Sequence, residues 1–339
     1  MGHDTKIWAR DAELVETMNT TRTNPKYLKG HDLPPKLVAT SVMKEVFDEC
    51  DIILTVIPSQ SIETCLEPAI EYLRPEHIIC SCSKGIMHGT LETVDEMLTR
   101  LLPGTKLAYL SGPSFAKDTA MGLPTCVSIS SRDVNVARTI QHAISTSNFR
   151  CYRTDDVIGV ELGGALKNVL AIACGISDGL EYGLNARAAL ITRGLAEIAK
   201  IASAKGANPL TMSGLAGMGD LILTCTGDLS RNRTFGLRLG RGETKDEILK
   251  SMHPVVVEGV ATSESAHMLA QKLGIDCPII GGIYSIVHED MSPKELMYNL
   301  MTRPLTDEID SETLKAAVCV GGSALFSRTS FTATRNGNH

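Results

Sequence analysis

Four segments place polar or charged residues where a plain apolar core would not. In GGALKNVLA (163–171), Lys167 and Asn168 sit inside a run of small and apolar residues. A lysine there needs a task or a partner, because desolvating an unpaired ammonium is expensive. Burial and a second nearby cation both lower a lysine's pKa, which makes it a usable proton donor or acceptor near neutrality. The alternative is that Lys167 snorkels to the surface beside Glu161. Asn168 offers both a donor and an acceptor.

The longest segment is GLAGMGDLILTCTGDLSRNRTFGLRLGRG (214–242). Asp220, between Gly219 and the apolar Leu221-Ile222-Leu223, has the setting of a part-buried, paired carboxylate. Thr224 follows one helical turn later. Ser230 has N-cap character, and Arg231, Asn232 and Arg233 fall in the first turn of the next helix. Cations there oppose the helix dipole, at a cost of about 0.3–1 kcal/mol each. A bound anion reverses that sign, since helix N-termini bind phosphate. An exposed basic turn is the plain alternative.

The two shorter segments each follow a strand-like run. Ser83-Lys84-Gly85 comes after IICSC, and SGPSFAK (111–117) comes after KLAYL. Ligands of open α/β sheets bind at the carboxyl ends of strands, so Lys84 is expected in a cleft. Gly112 permits close backbone approach, and Pro113 suits the first position of a helix. A solvated loop lysine and an ordinary turn are the competing readings.

The elements that must hold these residues change character along the chain. β-type runs at 5–8, 36–39, 52–57, 77–81, 106–110 and 125–129 alternate with helical stretches such as 59–73 and 91–102. IILTVI (52–57) is apolar throughout, as a strand covered on both faces should be. The alternation predicts a doubly wound parallel sheet of Rossmann type. From Asp156 onward the pattern is glycine-punctuated helix. Leu184, Ala188, Ile191, Leu195, Ile198 and Ala202 form an apolar stripe at helical spacing. Asn185 is a candidate cap at its start and Gly206 a candidate stop. The expected division is a nucleotide-binding domain over 1–155, an all-helical domain over 156–326 and a disordered tail over 327–339.

A chain of 339 residues is long enough for two cores. The net charge of −6 disfavours nucleic acid or an anionic membrane surface as partner. No apolar run approaches the roughly 18 residues of a bilayer crossing. The ten cysteines show no metal-ligand spacing, and Cys174 and Cys277 lie in apolar runs, which fits buried thiols in a reducing compartment. A cytoplasmic location is expected, with an organelle as the alternative. A nucleotide-type sheet, a helical half, an activated lysine and a phosphate-sized anion site together suggest hydride transfer to a phosphorylated carbonyl compound.

The same segments carry a resemblance. SKGI (83–86), SGPSFAKD (111–118), IGVELGGALKNVLAIACGISDGL (158–180), GLNARAALITRGLAEI (183–198), GLAGMGDLILTCTGDLSRNRTFG (214–236) and VVVEGVAT (255–262) resemble NAD(P)-dependent glycerol-3-phosphate dehydrogenases of the bacterial and plastid type. The similarity runs from Trp8 to about Leu300. It implies NAD or NADP as cofactor and dihydroxyacetone phosphate and glycerol 3-phosphate as substrates. It also implies a homodimer and a role in supplying phospholipid precursors. By matching position, Lys167 is the proton donor and acceptor, with Lys84 and Asp220 as its catalytic companions. Gly112, Ser114, Asn168, Thr224, Ser230, Arg231 and Asn232 match substrate contacts. Arg10, Lys84, Ala116, Arg231, Val256 and Glu258 match cofactor contacts; no metal is implied. A basic residue at Arg10 favours a 2′-phosphate, while Asp11 beside it works against that preference.

In this family a first strand and a glycine-rich turn precede the ribose-facing position by roughly 20 residues. Since Arg10 matches that position, the turn is expected before Met1. A start at an internal methionine and a variant without the turn are the two explanations, and without it cofactor binding and stability should suffer. A ketopantoate-reductase-like enzyme is the rival within dehydrogenases, although that group lacks the Ser-Arg-Asn segment. A non-catalytic remnant is the rival outside enzymes.

Overall fold

The computed structural model describes residues 2–308. Its first half contains β1 (Thr5–Trp8), α1 (Ala12–Thr21), β2 (Thr23–Asn24), β3 (Leu28–Asp32), β4 (Leu37–Thr40), α2 (Met43–Glu49), β5 (Ile52–Thr55) and α3 (Ile62–Leu66). There follow β6 (Ile78–Ser81), α4 (Val94–Leu101), β7 (Lys106–Ser111), α5 (Ala116–Ala120), β8 (Thr125–Ser130), α6 (Val134–Ile144) and β9 (Phe149–Thr154). All six expected strands are present, within a few residues of their anticipated ends.

The sheet lies in two pieces. β1 pairs in parallel with β4, while β5 to β9 form a five-stranded sheet in chain order. β5, β6 and β7 are parallel, β8 runs antiparallel to β7, and β9 is parallel to β8. One antiparallel pair thus interrupts the wholly parallel arrangement expected. Opposite sides of the central strands β6 and β7 enter different cores, which is why β6 is buried along its whole length; β5 has one face less covered, with Leu54 45% exposed. Ile53, Ile79 and Tyr109 pack with Phe47, Leu66 and Leu98 from α2, α3 and α4. Ile78, Cys80, Ala108, Val127 and Ile129 pack with Val136 and Ile140 of α6. Helix α2 also reaches the first pair, where Lys6 on β1 binds Glu49 at 2.5 Å.

Several sequence expectations need correction. Strand β9 (FRCYRT) and the β2–β3 hairpin were not anticipated; both are short and polar, without a two-sided apolar pattern. The stretch 59–73 is a short α-helix between two 3₁₀ segments. Pro68 there has no N–H to donate, and its ring opposes a continued α-helix. The helix expected over 91–102 starts at Val94, capped by a reciprocal Thr93–Glu96 box.

Past Thr154 every described element is helical, in keeping with the expected all-helical half. The elements are α7 (Val157–Gly179), α8 (Gly183–Ala204), α9 (Asp220–Thr226), α10 (Arg231–Gly240), α11 (Lys245–Met252), α12 (Glu258–Leu273), α13 (Pro278–His288) and α14 (Pro293–Met301). The expected boundary at 326 and the tail after it lie outside the described residues. Asn185 lies inside α8 rather than capping it, and Leu184 is 71% exposed, so the apolar stripe is buried only toward its end. Gly206, at φ +93°, does follow the helix end.

Helix α7 is the axis of this half. It is long and apolar enough to span a bilayer, contrary to the expectation of no such run, but its apolar window is 94% buried inside the fold. Glycines let its neighbours approach at backbone distance. A Cβ on Gly175 would stand 2.1 Å from Arg233 O, and one on Gly236 would stand 2.1 Å from Ile172 O. That approach of α7 and α10 brings Lys167 and Asn168 to the Ser230–Asn232 turn.

Candidate active site

Lys167 projects from the middle of α7, and its side chain is 8% exposed. It does not snorkel toward Glu161, which instead accepts the Asp95 N–H at 2.9 Å. Lys167 Nζ lies 3.0 Å from Asp220 Oδ1 and donates to Thr224 Oγ1 at 2.8 Å. Thr224 Oγ1 donates in turn to Asp220 O at 2.6 Å, within the first turn of α9. Lys84, just beyond the end of β6, donates to Asp220 Oδ2 and lies 3.4 Å from Gly112 O. One carboxylate thus holds two ammonium groups, one on each oxygen.

The local backbone explains the placement. A π-helical turn over Leu215–Gly219 leads directly into Asp220. Such turns re-aim side chains and recur at functional sites. Gly217 and Gly163 meet at that turn, where a Cβ on Gly163 would stand 2.7 Å from Ala216 O. Gly112, at φ +143°, uses its missing side chain against Val127 Cα, 3.0 Å from where a Cβ would stand. Its close approach is therefore to its own sheet. Ser114 Oγ donates to Gly112 O at 3.0 Å. Pro113 is not helical, because α5 starts at Ala116 after Phe115.

The charges tune one another. Burial is the larger influence on Lys167 and the Lys84 ammonium adds to it; Asp220 opposes both, leaving the pKa lowered to about 8. Burial pushes the Asp220 carboxyl up, but Lys84 and Lys167 outweigh it and hold it below the usual carboxylate range. The lysine is thus poised near neutrality beside a carboxylate that stays ionised.

The basic turn is built as anticipated, with one change. Ser230 Oγ caps α10 by accepting the Arg233 N–H at 3.2 Å. Arg231 is exposed and lies 3.5 Å from Val256 O. Asn232 is buried and joins Asn168 at 2.9 Å. Arg233 is withdrawn, paired with Asp178 at 2.6 Å and Asp228 at 2.9 Å. Among the described residues Arg231 makes no salt bridge, although its charge acts on Glu258.

Glu258, first residue of α12, accepts from Ser59 Oγ at 3.0 Å. Sequence reasoning missed Ser59; its place just after an apolar strand was the available signal. Val56 is 75% exposed and Val256 48% exposed, three and two residues from the Ser59–Glu258 contact. Ala116 and Arg10 are exposed, and neither hydrogen-bonds this cluster among the described residues. The helix start after β1 is closed by Asp11, whose carboxylate takes the Leu14 N–H at 3.2 Å and pairs with Lys26 at 3.1 Å.

A two-faced nucleotide-type sheet whose strand ends meet a helical half across a buried lysine defines a pyridine-nucleotide dehydrogenase. Residues 1–137 match the N-terminal model of the NAD-dependent glycerol-3-phosphate dehydrogenases, and residues 156–298 match the C-terminal model. The glycerol-3-phosphate dehydrogenase [NAD(P)+] of Citrifermentans bemidjiense is 49% identical over 310 residues, which is 91% of this chain and 92% of that one. A crystal structure of glycerol-3-phosphate dehydrogenase from Coxiella burnetii aligns with TM-score 0.84 and 38% identity, covering 88% of this chain and 91% of that chain. A ketopantoate reductase from Ralstonia eutropha aligns at TM-score 0.51 and 16% identity over 87% of this chain and 92% of that chain, a likeness of fold alone. The chain belongs to the NAD-dependent glycerol-3-phosphate dehydrogenase family, whose cofactor is NAD or NADP.

Proposed function

We propose that the chain interconverts dihydroxyacetone phosphate and sn-glycerol 3-phosphate, with Lys167 as the acid and base. The observation that carries the reading is the buried Lys167–Asp220–Lys84 trio, with its Thr224 hydrogen bond, next to the Ser230–Arg231 helix start. A reduced nicotinamide held beside Glu258 and Val256 would supply the hydride to the carbonyl carbon. Lys167 gives the carbonyl oxygen its proton, and in the reverse direction takes it back from the alcohol. Asp220 and Thr224 fix the direction of the Lys167 ammonium, and Lys84 keeps its pKa low.

Arg231, the Ser230 hydroxyl hydrogen and the start of α10 receive the phosphate. Gly112 and Ser114 border the substrate, while Glu258, Val256, Ala116 and Arg10 border the cofactor. On this reading residues 1–155 bind the nucleotide and the helical half binds the substrate. Family resemblance also supports a homodimer, a cytoplasmic location and a supply of phospholipid precursors. Purified chain mixed with dihydroxyacetone phosphate and NADH or NADPH should oxidise the nucleotide only when the substrate is present. Absence of substrate-dependent oxidation with either nucleotide overturns the activity.

A further inference from the structure

Lys84 reaches from the end of β6 to Asp220, and the backbone on both sides of it is tied to one other stretch of chain. Before it, Cys82 N–H donates to Thr55 O at 2.9 Å and Ser83 Oγ donates to Ile57 O at 2.6 Å. Beyond it, Gln60 Nε2 donates to Ile86 O at 2.9 Å, and Gln60 Oε1 accepts the His88 N–H at 2.9 Å. A carbonyl only accepts and a backbone N–H only donates, so these partners assign both ends of the Gln60 amide. All four bonds run to residues 55–60, where β5 gives way to a 3₁₀ turn at Ser59–Ser61.

A close contact lies at the middle of this staple. Ser59 is fully buried, and a Cβ on Gly85, the residue after Lys84, would stand 2.2 Å from Ser59 Oγ. The Ser59 hydroxyl is itself held, because it donates to Glu258 Oε2 at 3.0 Å. Gln60 is exposed, so its two bonds are not a by-product of core packing. Fixing so long a side chain costs rotamer entropy, and its effect is to pin the loop two and four residues beyond Lys84.

We propose that Gln60 is a positioning residue for Lys84: with Ser59 it staples the 85–88 loop to the end of β5 and keeps the Lys84 ammonium on Asp220. What that placement means for the reaction rests on the function proposed above; the staple and its effect on Lys167 do not. After burial, Lys84 is the group that most disfavours the charged form of Lys167. Lys84 also occupies one oxygen of the carboxylate that favours that form. A slack loop weakens both effects, and the Lys167 pKa rises.

The test is the titration of Lys167 in the whole chain without ligand, read by NMR of lysine labelled with ¹³C at Cε and assigned by the signal lost in Lys167→Ala. Gln60→Ala should move the midpoint upward, in the direction of Lys84→Ala but by less. In a Lys84→Ala background the same substitution should leave the midpoint where it was, because the group it positions is gone. A midpoint unmoved by Gln60→Ala, or moved equally with and without Lys84, overturns the proposal. Hydrogen exchange of the His88 amide gives a second reading. Its protection should fall in Gln60→Ala, and unchanged protection overturns the staple. A wild-type chain that turns over no substrate removes the proposed function, while the titration still decides the role of Gln60.

Discussion

Lys167 and Lys84 share Asp220, one on each carboxylate oxygen, although they come from opposite halves of the chain. With the Asp220 side chain 3% exposed, water can do little to replace it. Removing one partner of such a buried group usually costs about 3–5 kcal/mol, because the charge left behind has no partner. Asp220→Ala should therefore lower the denaturation midpoint as well as activity, which chemical unfolding of the variant will measure.

Lys167→Ala should reduce kcat by about 10²–10⁴-fold, the usual worth of a positioned acid or base. Glycerol 3-phosphate should still bind, because the proposed phosphate contacts lie on α10. Steady-state kinetics and calorimetry on the same variant check both halves, and activity near wild type would remove Lys167 from its proposed role.

The pH dependence has a definite sign. Carbonyl reduction needs protonated Lys167, whose pKa of about 8 lies below the ordinary lysine value. Reduction should fall as pH rises through about 8, while oxidation of the alcohol should rise over the same range. Lys84→Ala removes a cation that lowers this pKa, so the limb should move to higher pH. Asp220→Asn removes the carboxylate that raises it, so the limb should move to lower pH. The position of the limb in pH–rate profiles, not its height, is the readout.

Arg231→Ala should weaken glycerol 3-phosphate binding by roughly ten- to a hundredfold, the range of a charge-assisted hydrogen bond. Unphosphorylated glycerol should be indifferent to the change. Titration calorimetry with both ligands decides it. Arg233→Ala should act through stability instead, because its guanidinium is already committed to Asp178 and Asp228.

Gly175→Ala should destabilise the fold by about 1–3 kcal/mol or more, since the added methyl would stand 2.1 Å from Arg233 O. The denaturant midpoint measures this. Because Arg233 lies in the α10 turn, an altered pH profile in the same variant would show that the shift reaches the site.

Much of this was legible in the sequence, for identifiable reasons. A strand covered on both faces, such as β6, announces itself by its apolar run, whereas the run around β5 is as apolar but leaves Leu54 and Val56 exposed, so its covering was misjudged. The lysine in α7 stands out because every neighbour is small or apolar. Ser230 was readable as a cap because capping needs only local spacing. What escaped was set by distant partners. Arg233 looks identical to Arg231 until Asp178, 55 residues earlier, takes it away. Gly112 looks like a glycine required by a ligand until β8 is seen to occupy the space of its missing side chain. The Ser59–Glu258 bond joins residues 199 apart in the chain, and only the apolar strand before Ser59 hinted at one of its partners.

The burial of α7 carries a consequence for how the molecule opens. Amides on a helix enclosed this completely exchange with solvent only when the whole fold comes apart, while loops and helix ends fluctuate independently. The proposed acid and base is therefore anchored to the last segment to yield. Heat or denaturant should loosen the exposed β2–β3 hairpin first, while the lysine and its carboxylate remain in register. Inactivation at moderate stress should accordingly be recoverable, with the chemical centre acting as the template on which the rest refolds.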